Sequence, residues 1–193
     1  MQMSIENPIG PRRFTVDEFF EMGRHGMFEE DGRVELLDGE ILVMPPTGPE
    51  HNSSAMRFDY ALRDRLRGVA LVMTASNATL SKYSAPSPDL MVLRPRDDFY
   101  AHANPQPDDI LALVEVSSSS LRRDRGRKLR LYARHDVREY WIVDVAGRRI
   151  ERCRYPVGDL YGERILFGHG QTIAFEAFPD RTFEVDELIG PPL

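Results

Sequence analysis

Cysteine is nearly absent from the 193-residue chain: Cys153 stands alone, so no disulfide can form within it. Lysine is almost as scarce. Lys82 and Lys128 are the only two among 25 basic residues, and arginine supplies the rest. Long apolar runs are missing too. None approaches the roughly 18 residues that a membrane helix needs, and the opening MQMSIENPIGPRR has no apolar signal core. Positive charge is not in excess, since the formal net charge is −6. That argues against a protein that coats nucleic acid through bulk charge. These absences together point to a cytoplasmic chain with no membrane partner. What is present is an ordinary globular composition, 41% hydrophobic and 29% charged, and length enough for one substantial core. A single domain over residues 1–193 is expected.

Read along the chain, FTVDEFFEM opens a helix. Thr15 and Glu18 have capping-box spacing there. RVELLDGEILVMPP reads as a hairpin turning at Asp38-Gly39. EHNSSAMRFDYALRDRLRG is a helix with Ala55, Phe58, Leu62 and Leu66 on one face, stopped by Gly68. VALVMTASNATLSK gives one long or bent strand, or two short ones, and a short strand follows from Asp89 to Leu93. ILALVEVS is a central strand, SSSS caps the helix LRRDRGRKLRLYARH, and REYWIVDV is another central strand. Weaker strand signals fill residues 159–188. Hairpins mixed with strand–helix–strand crossovers favour an α/β (α+β) fold, a mixed β-sheet flanked by helices.

Glu115 interrupts the apolar run ILALVEVS. A carboxylate is almost never fully buried unless it is paired or bound to a metal. Asp89 stands at the mouth of the preceding strand, 26 residues earlier. On neighbouring strands the two carboxylates would repel one another and lose hydration, a cost that a divalent cation removes. Mg²⁺, with Mn²⁺ as a substitute, is the ion that one or two carboxylates and water suit. Lys128 follows on the next helix, in phase with Leu121 and Tyr132, so its face points at the sheet. A compact ammonium beside two carboxylates can stabilise charge on a phosphoryl group or orient a water. A lysine snorkelling at the helix edge is the plainer reading. Between Leu121 and Arg134 lie Arg122, Arg123, Arg125, Arg127, Lys128, Arg130 and Arg134 against the single acid Asp124. This run is either a solvated helix face or a phosphate-facing patch.

SPDLMVL, LALVEVSSSSLRRDRGRKLRLYARHDVREYWIVDV and RVELLDGEILVMPPTGPEH together resemble the bacterial Uma-two family of restriction-endonuclease-type proteins, within the PD-(D/E)XK nuclease superfamily. The resemblance runs from about Phe14 to Arg154. It implies a restriction-endonuclease-like core, with the strands of 159–188 appended. It also implies that Asp89 is the first acid of the motif and Glu115 the second, with the Val116 carbonyl as a further metal ligand. Ser117 stands where the motif has lysine, and Lys128 on the following helix is the implied replacement. Glu35 would add a carboxylate to the metal site. His51 is a candidate for the same cleft, with a surface histidine as its plainer reading. Tyr132 and the EYW of Glu139–Trp141 read as core.

The function implied is an Mg²⁺-dependent endonuclease that hydrolyses DNA. The arginines from Arg122 to Arg130 would lie along flanking phosphates, and a homodimer would cut both strands. One alternative is a catalytically weak nucleic-acid-binding or protein-interaction module on the same fold. Another is an acidic pocket for a small phosphate ester.

Overall fold

The first helix begins where the capping-box spacing places it. In the computed structural model, which describes residues 10–28 and 33–191, the Thr15 hydroxyl accepts from the Glu18 amide at 3.2 Å. The Glu18 carboxylate in turn accepts from the Thr15 amide at 2.9 Å. This reciprocal cap opens α1 (Val16–Arg24). The reading of Met1–Ile9 as lacking a signal core lies outside the described residues.

The hairpin of β1 (Arg33–Leu37) and β2 (Glu40–Met44) turns at Asp38 and Gly39, both with positive φ, 53° and 84°. A Cβ on Gly39 would sit 2.5 Å from Arg13 Cβ, so only glycine fits. Next come α2 (Pro49–Arg65), β3 (Leu71–Thr74), β4 (Leu90–Leu93) and β5 (Ile110–Ser117). The strand expected over VALVMTASNATLSK stops at Thr74, and Ala75, at φ 50°, turns the chain away.

The helix after β5 is one continuous rod with an irregular middle: α3 (Leu121–Arg123), a π turn (Asp124–Lys128) and α4 (Leu129–Arg134). The strands β6 (Glu139–Asp144), β7 (Arg149–Val157), β8 (Leu160–Phe167), β9 (Thr172–Ala174) and β10 (Thr182–Glu184) follow. The chain then forms α5 (Val185–Ile189), a short helix that the strand signals of the tail did not announce.

Six strands form one mixed sheet in the order β3-β4-β5-β6-β7-β8. Only β5 and β6 run parallel, because the helical crossover joins them. Every other neighbouring pair is antiparallel. Alternation along β5 divides the core. Ala112, Val114 and Val116 pack under α2 and α5, with Phe58, Leu62 and Trp141. Leu113 faces the other way, toward Leu131, Tyr132 and Tyr140. Glu115 shares that second face, and the crossover helix covers it. No described helix is long and apolar enough to cross a membrane.

Cys153 is buried in the second core, where burial first, and then the Glu151 charge, push its thiol up to about 12. Thiolate is the reactive form. A thiol reagent at mildly alkaline pH is therefore expected to leave the native protein unlabelled while it modifies the denaturant-unfolded chain completely. Mass spectrometry of the two samples checks this, and rapid native labelling would contradict it.

Candidate functional site

Asp89 sits one residue before β4. The β4–β5 ladder pairs Leu90 with Val114 and Met91 with Leu113, so the next step of the register sets Asp89 beside Glu115. Asp89 Oδ2 accepts from the Val116 amide at 2.8 Å, which ties the two strand ends together. Its Oδ1 lies 3.3 Å from His51 Nε2 and accepts from Arg33 at 3.2 Å. Burial alone would raise the Asp89 carboxyl. The hydrogen bond and charge of His51, the Val116 amide and Arg33 outweigh it and hold the carboxyl below the usual aspartate range. His51 belongs to the cleft and is not a surface histidine: it is buried in the first turn of α2, against Asp89.

Glu115 is 4% exposed. Its Oε1 accepts two bonds of 2.7 Å, from Lys128 Nζ and from the Tyr132 hydroxyl. Lys128 and Tyr132 are one helical step of four apart, which lets both reach the same oxygen. Lys128 is 0% exposed, so it is no snorkelling side chain, and it also meets Glu35 Oε2 at 3.0 Å. Burial above all pushes Glu115 up, and the balance of all its surroundings leaves it at about 8. Lys128 draws it back, while Asp124, Asp89 and Glu35 push it further up. For Lys128 burial acts downward, but Glu115 and Glu35 prevail and keep it protonated above the ordinary lysine value. Several carboxylates thus surround one ammonium, and Glu115 is the one whose ionised form burial and its neighbours disfavour. Burial, followed by the Glu115 charge, raises the Tyr132 phenol well above its usual value, so it remains a donor.

Ser117, in the place of the motif's lysine, donates to Asp124 Oδ2 at 2.7 Å. The Ser120 hydroxyl also bonds that carboxylate, so Ser120 starts the helix without the side-chain cap expected of it. Asp124 opens the π turn that ends at Lys128. π turns inside helices occur frequently at functional sites. Here the turn is pinned to the end of β5, next to Glu115.

Three sequence expectations are altered by the geometry. Glu35 does not line the cavity at Asp89 and Glu115. It meets Lys128 and, at 3.4 Å, the Ser87 amide, and its Oε1 has no hydrogen-bond partner. The basic run is largely compensated by its own chain. Arg125 pairs with Glu151 at 2.7 Å, Arg127 with Glu40 at 2.8 Å and Arg134 with Asp38 at 3.2 Å. Arg123 lies 3.7 Å from Asp124, which leaves Arg122 and Arg130 exposed with no carboxylate partner among the described residues. Tyr132 is a partner of Glu115 as well as a core residue.

Sequence reasoning missed Arg33, Asp124 and the Tyr132 hydroxyl. Arg33 had a signal, since it lies two residues from Glu35 on one strand and so on the same face.

A cavity of about 60 Å³ is lined by Asp89, Glu115, Val116, His51, Ser118–Ser120 and Arg123. Among the described residues no three His, Cys, Asp or Glu side chains converge as a ready-made metal cage. Two carboxylates and space for several waters are nevertheless hard-oxygen surroundings that Mg²⁺ accepts. Burial and neighbouring carboxylates disfavour the ionised form of Glu115, and a bound cation would favour it. The donor set fits such an ion.

A solved structure shares this fold. A crystal structure titled as a putative nuclease belonging to DUF820, from Anabaena variabilis ATCC 29413, superposes with a TM-score of 0.72 at 18% identity. The match covers 94% of this chain and 98% of that one. At that identity the likeness is one of fold. No curated protein matches the chain. The Uma2 family, described as "Putative restriction endonuclease", matches residues 16–186. That span holds every residue of the Asp89–Glu115–Lys128 cluster, and the chain belongs to the Uma2 family.

Proposed function

We propose that the protein is a divalent-cation-dependent endonuclease that hydrolyses DNA phosphodiester bonds, with Mg²⁺ as its ion and Mn²⁺ as a substitute. The observation that carries this reading is the meeting of Asp89 and Glu115 at an oxygen-lined cavity, in a chain of a nuclease family. Asp89, Glu115 and the Val116 carbonyl would hold the ion. When bound, it lowers the pKa of a water and polarises the phosphate.

The rest is the work of the chain's own groups. The Val116 amide and His51 fix the Asp89 carboxylate in one orientation. Lys128 and Tyr132 hold Oε1 of Glu115, which orients its carboxylate, and Lys128 would act on developing phosphoryl charge from behind Glu115, since it does not itself line the cavity. Arg33 and Arg123 line the cavity and would meet the scissile phosphate, while Arg122 and Arg130 would take flanking phosphates without reading sequence. A single domain, working as a homodimer in the cytoplasm, would set two such sites on a duplex.

The test is the conversion of supercoiled plasmid with and without Mg²⁺. Wild type is expected to nick and then linearise it in the presence of the ion. Asp89→Ala, which removes one anionic ligand, is expected to lose at least a hundredfold in rate. A wild-type protein that leaves the plasmid intact under Mg²⁺ and Mn²⁺, or equal cleavage by Asp89→Ala, would overturn the reading.

A further inference from the structure

Beside the cavity lies a larger groove of about 680 Å³. The two share Arg33, Thr47, His51 and Asp89 as walls. One side of the groove is an edge of α2, where His51, Ala55, Asp59 and Arg63 recur at every fourth residue, with Arg67 in the turn that follows the helix. Thr74, Ala75 and Leu90 form the facing side. Met56 and Tyr60, also four apart, project into this space and are 73% and 78% exposed. Tyr60 lies nine residues along the helix from His51, roughly 13 Å away.

The charge in the groove is balanced: Arg33, Arg63 and Arg67 stand against Asp59, Asp64 and Asp89. Two of the arginines are already engaged, Arg63 with Asp59 at 2.7 Å and Arg33 with Asp89 at 3.2 Å. Arg67 has no carboxylate partner among the described residues, so it is the cation left for a phosphate. What the groove mainly offers is an exposed aromatic ring and a thioether along an open wall. That is a surface for stacking, with little capacity to hold many phosphates. Its size falls within the range of small-molecule pockets, which leaves room for a nucleoside. In an intact duplex both faces of each base are covered by its neighbours in the stack. An unpaired or extruded base can offer its face to an aromatic side chain.

We propose that this groove takes an unpaired nucleotide of the strand being cut, its base stacked on Tyr60, so that each strand, even of a duplex, is engaged where it is single-stranded or locally unwound. The inference rests on the nuclease reading for its choice of occupant. It extends that reading by naming the strandedness and the residue that senses it.

Fluorescence anisotropy tests it on the full chain in EDTA, so that no cleavage intervenes. The probes are a labelled oligothymidylate and the corresponding duplex. The single strand is expected to bind at least about tenfold more tightly than the duplex. Tyr60→Ala is expected to remove about tenfold of that affinity, the usual scale for one stacked base. Tyr60→Phe keeps the ring and should retain it. Because the groove is nearly neutral, the salt dependence should be shallow. Tyr60 is exposed, so the alanine variant should melt with wild type. Equal affinity for duplex and single strand, or an unchanged affinity in Tyr60→Ala, overturns the proposal. A protein that binds the single strand through Tyr60 yet cuts no nucleic acid under Mg²⁺ or Mn²⁺ supports the groove and overturns the nuclease reading. Cleavage of duplex that Tyr60→Ala leaves intact overturns the groove alone.

Discussion

Lys128→Met is expected to destabilise the protein by roughly 3–5 kcal/mol, the cost of breaking a buried ion pair by removing one partner. It should also slow cleavage by roughly 10²- to 10³-fold, the scale for losing one preorganised donor near developing charge. The stability loss follows from the surroundings of the ammonium. Lys128 is fully buried between Glu115 at 2.7 Å and Glu35 at 3.0 Å. Methionine keeps most of the stem's packing but leaves two carboxylates without their cation. Adding Glu35→Gln and Glu115→Gln to Lys128→Met should therefore recover most of the stability and none of the activity. That result separates charge from packing. Lys128→Arg should not restore activity, because a planar fork needs volume that a fully packed site does not have. The control is Lys82→Met, since Lys82 is exposed beside Tyr83, and it should behave as wild type. Denaturant midpoints and plasmid cleavage rates measure the two effects. If Lys128→Arg is as stable and as active as wild type, Lys128 is only one more cation on a basic helix.

The features of this site that were legible in the sequence are those that break a local rule. A carboxylate in a buried strand is costly, so Glu115 stood out. A lysine in a chain that uses arginine nearly everywhere stood out as well. Asp89 was legible because it opens a short apolar strand. Tyr132 was not, since an aromatic residue on the inner face of a helix reads as core, and it does also pack against Tyr140. Only the three-dimensional structure shows where its hydroxyl goes. Asp124 looked like a lone exception in a basic run, and the π turn it opens leaves no trace in composition.

The arginine run misleads for a related reason. Charge counted along the chain ignores partners from elsewhere, and here Asp38 and Glu40 of the first hairpin and Glu151 of β7 supply them. At the level of fold, the parallel β5–β6 pair was legible from two apolar strands around a helix. The end of β3 at Thr74 depends on the backbone turn at Ala75, and no periodic pattern records such a turn. Five residues are too few for α5 to show a helical period.

Glu115→Gln is the substitution expected to separate metal binding from folding. The amide oxygen can accept the same two hydrogen bonds that Oε1 accepts from Lys128 and Tyr132. The helix should therefore stay docked on β5. The substitution removes an anionic oxygen beside Asp89 and puts an NH₂ group, a donor, in its place. A hard cation cannot use that group as a ligand. Mn²⁺ affinity, read by calorimetry, should fall at least about tenfold, and cleavage should fall with it.

Without metal the variant should be at least as stable as wild type, because it has no carboxyl there whose ionisation burial and the Asp124, Asp89 and Glu35 charges disfavour. The two proteins should therefore respond oppositely to added ion. Wild type gains about 2.7 kcal/mol when the ion is at a hundred times its dissociation constant, and its melting temperature rises. The variant starts from an equal or higher temperature and gains little. Asp89→Asn should show the same loss of ion-dependent stabilisation, since both carboxylates are needed. If Mn²⁺ raises the melting temperature of Glu115→Gln as much as that of wild type, the carboxylate in the middle of β5 serves only Lys128 and Tyr132, and the ion binds elsewhere or not at all.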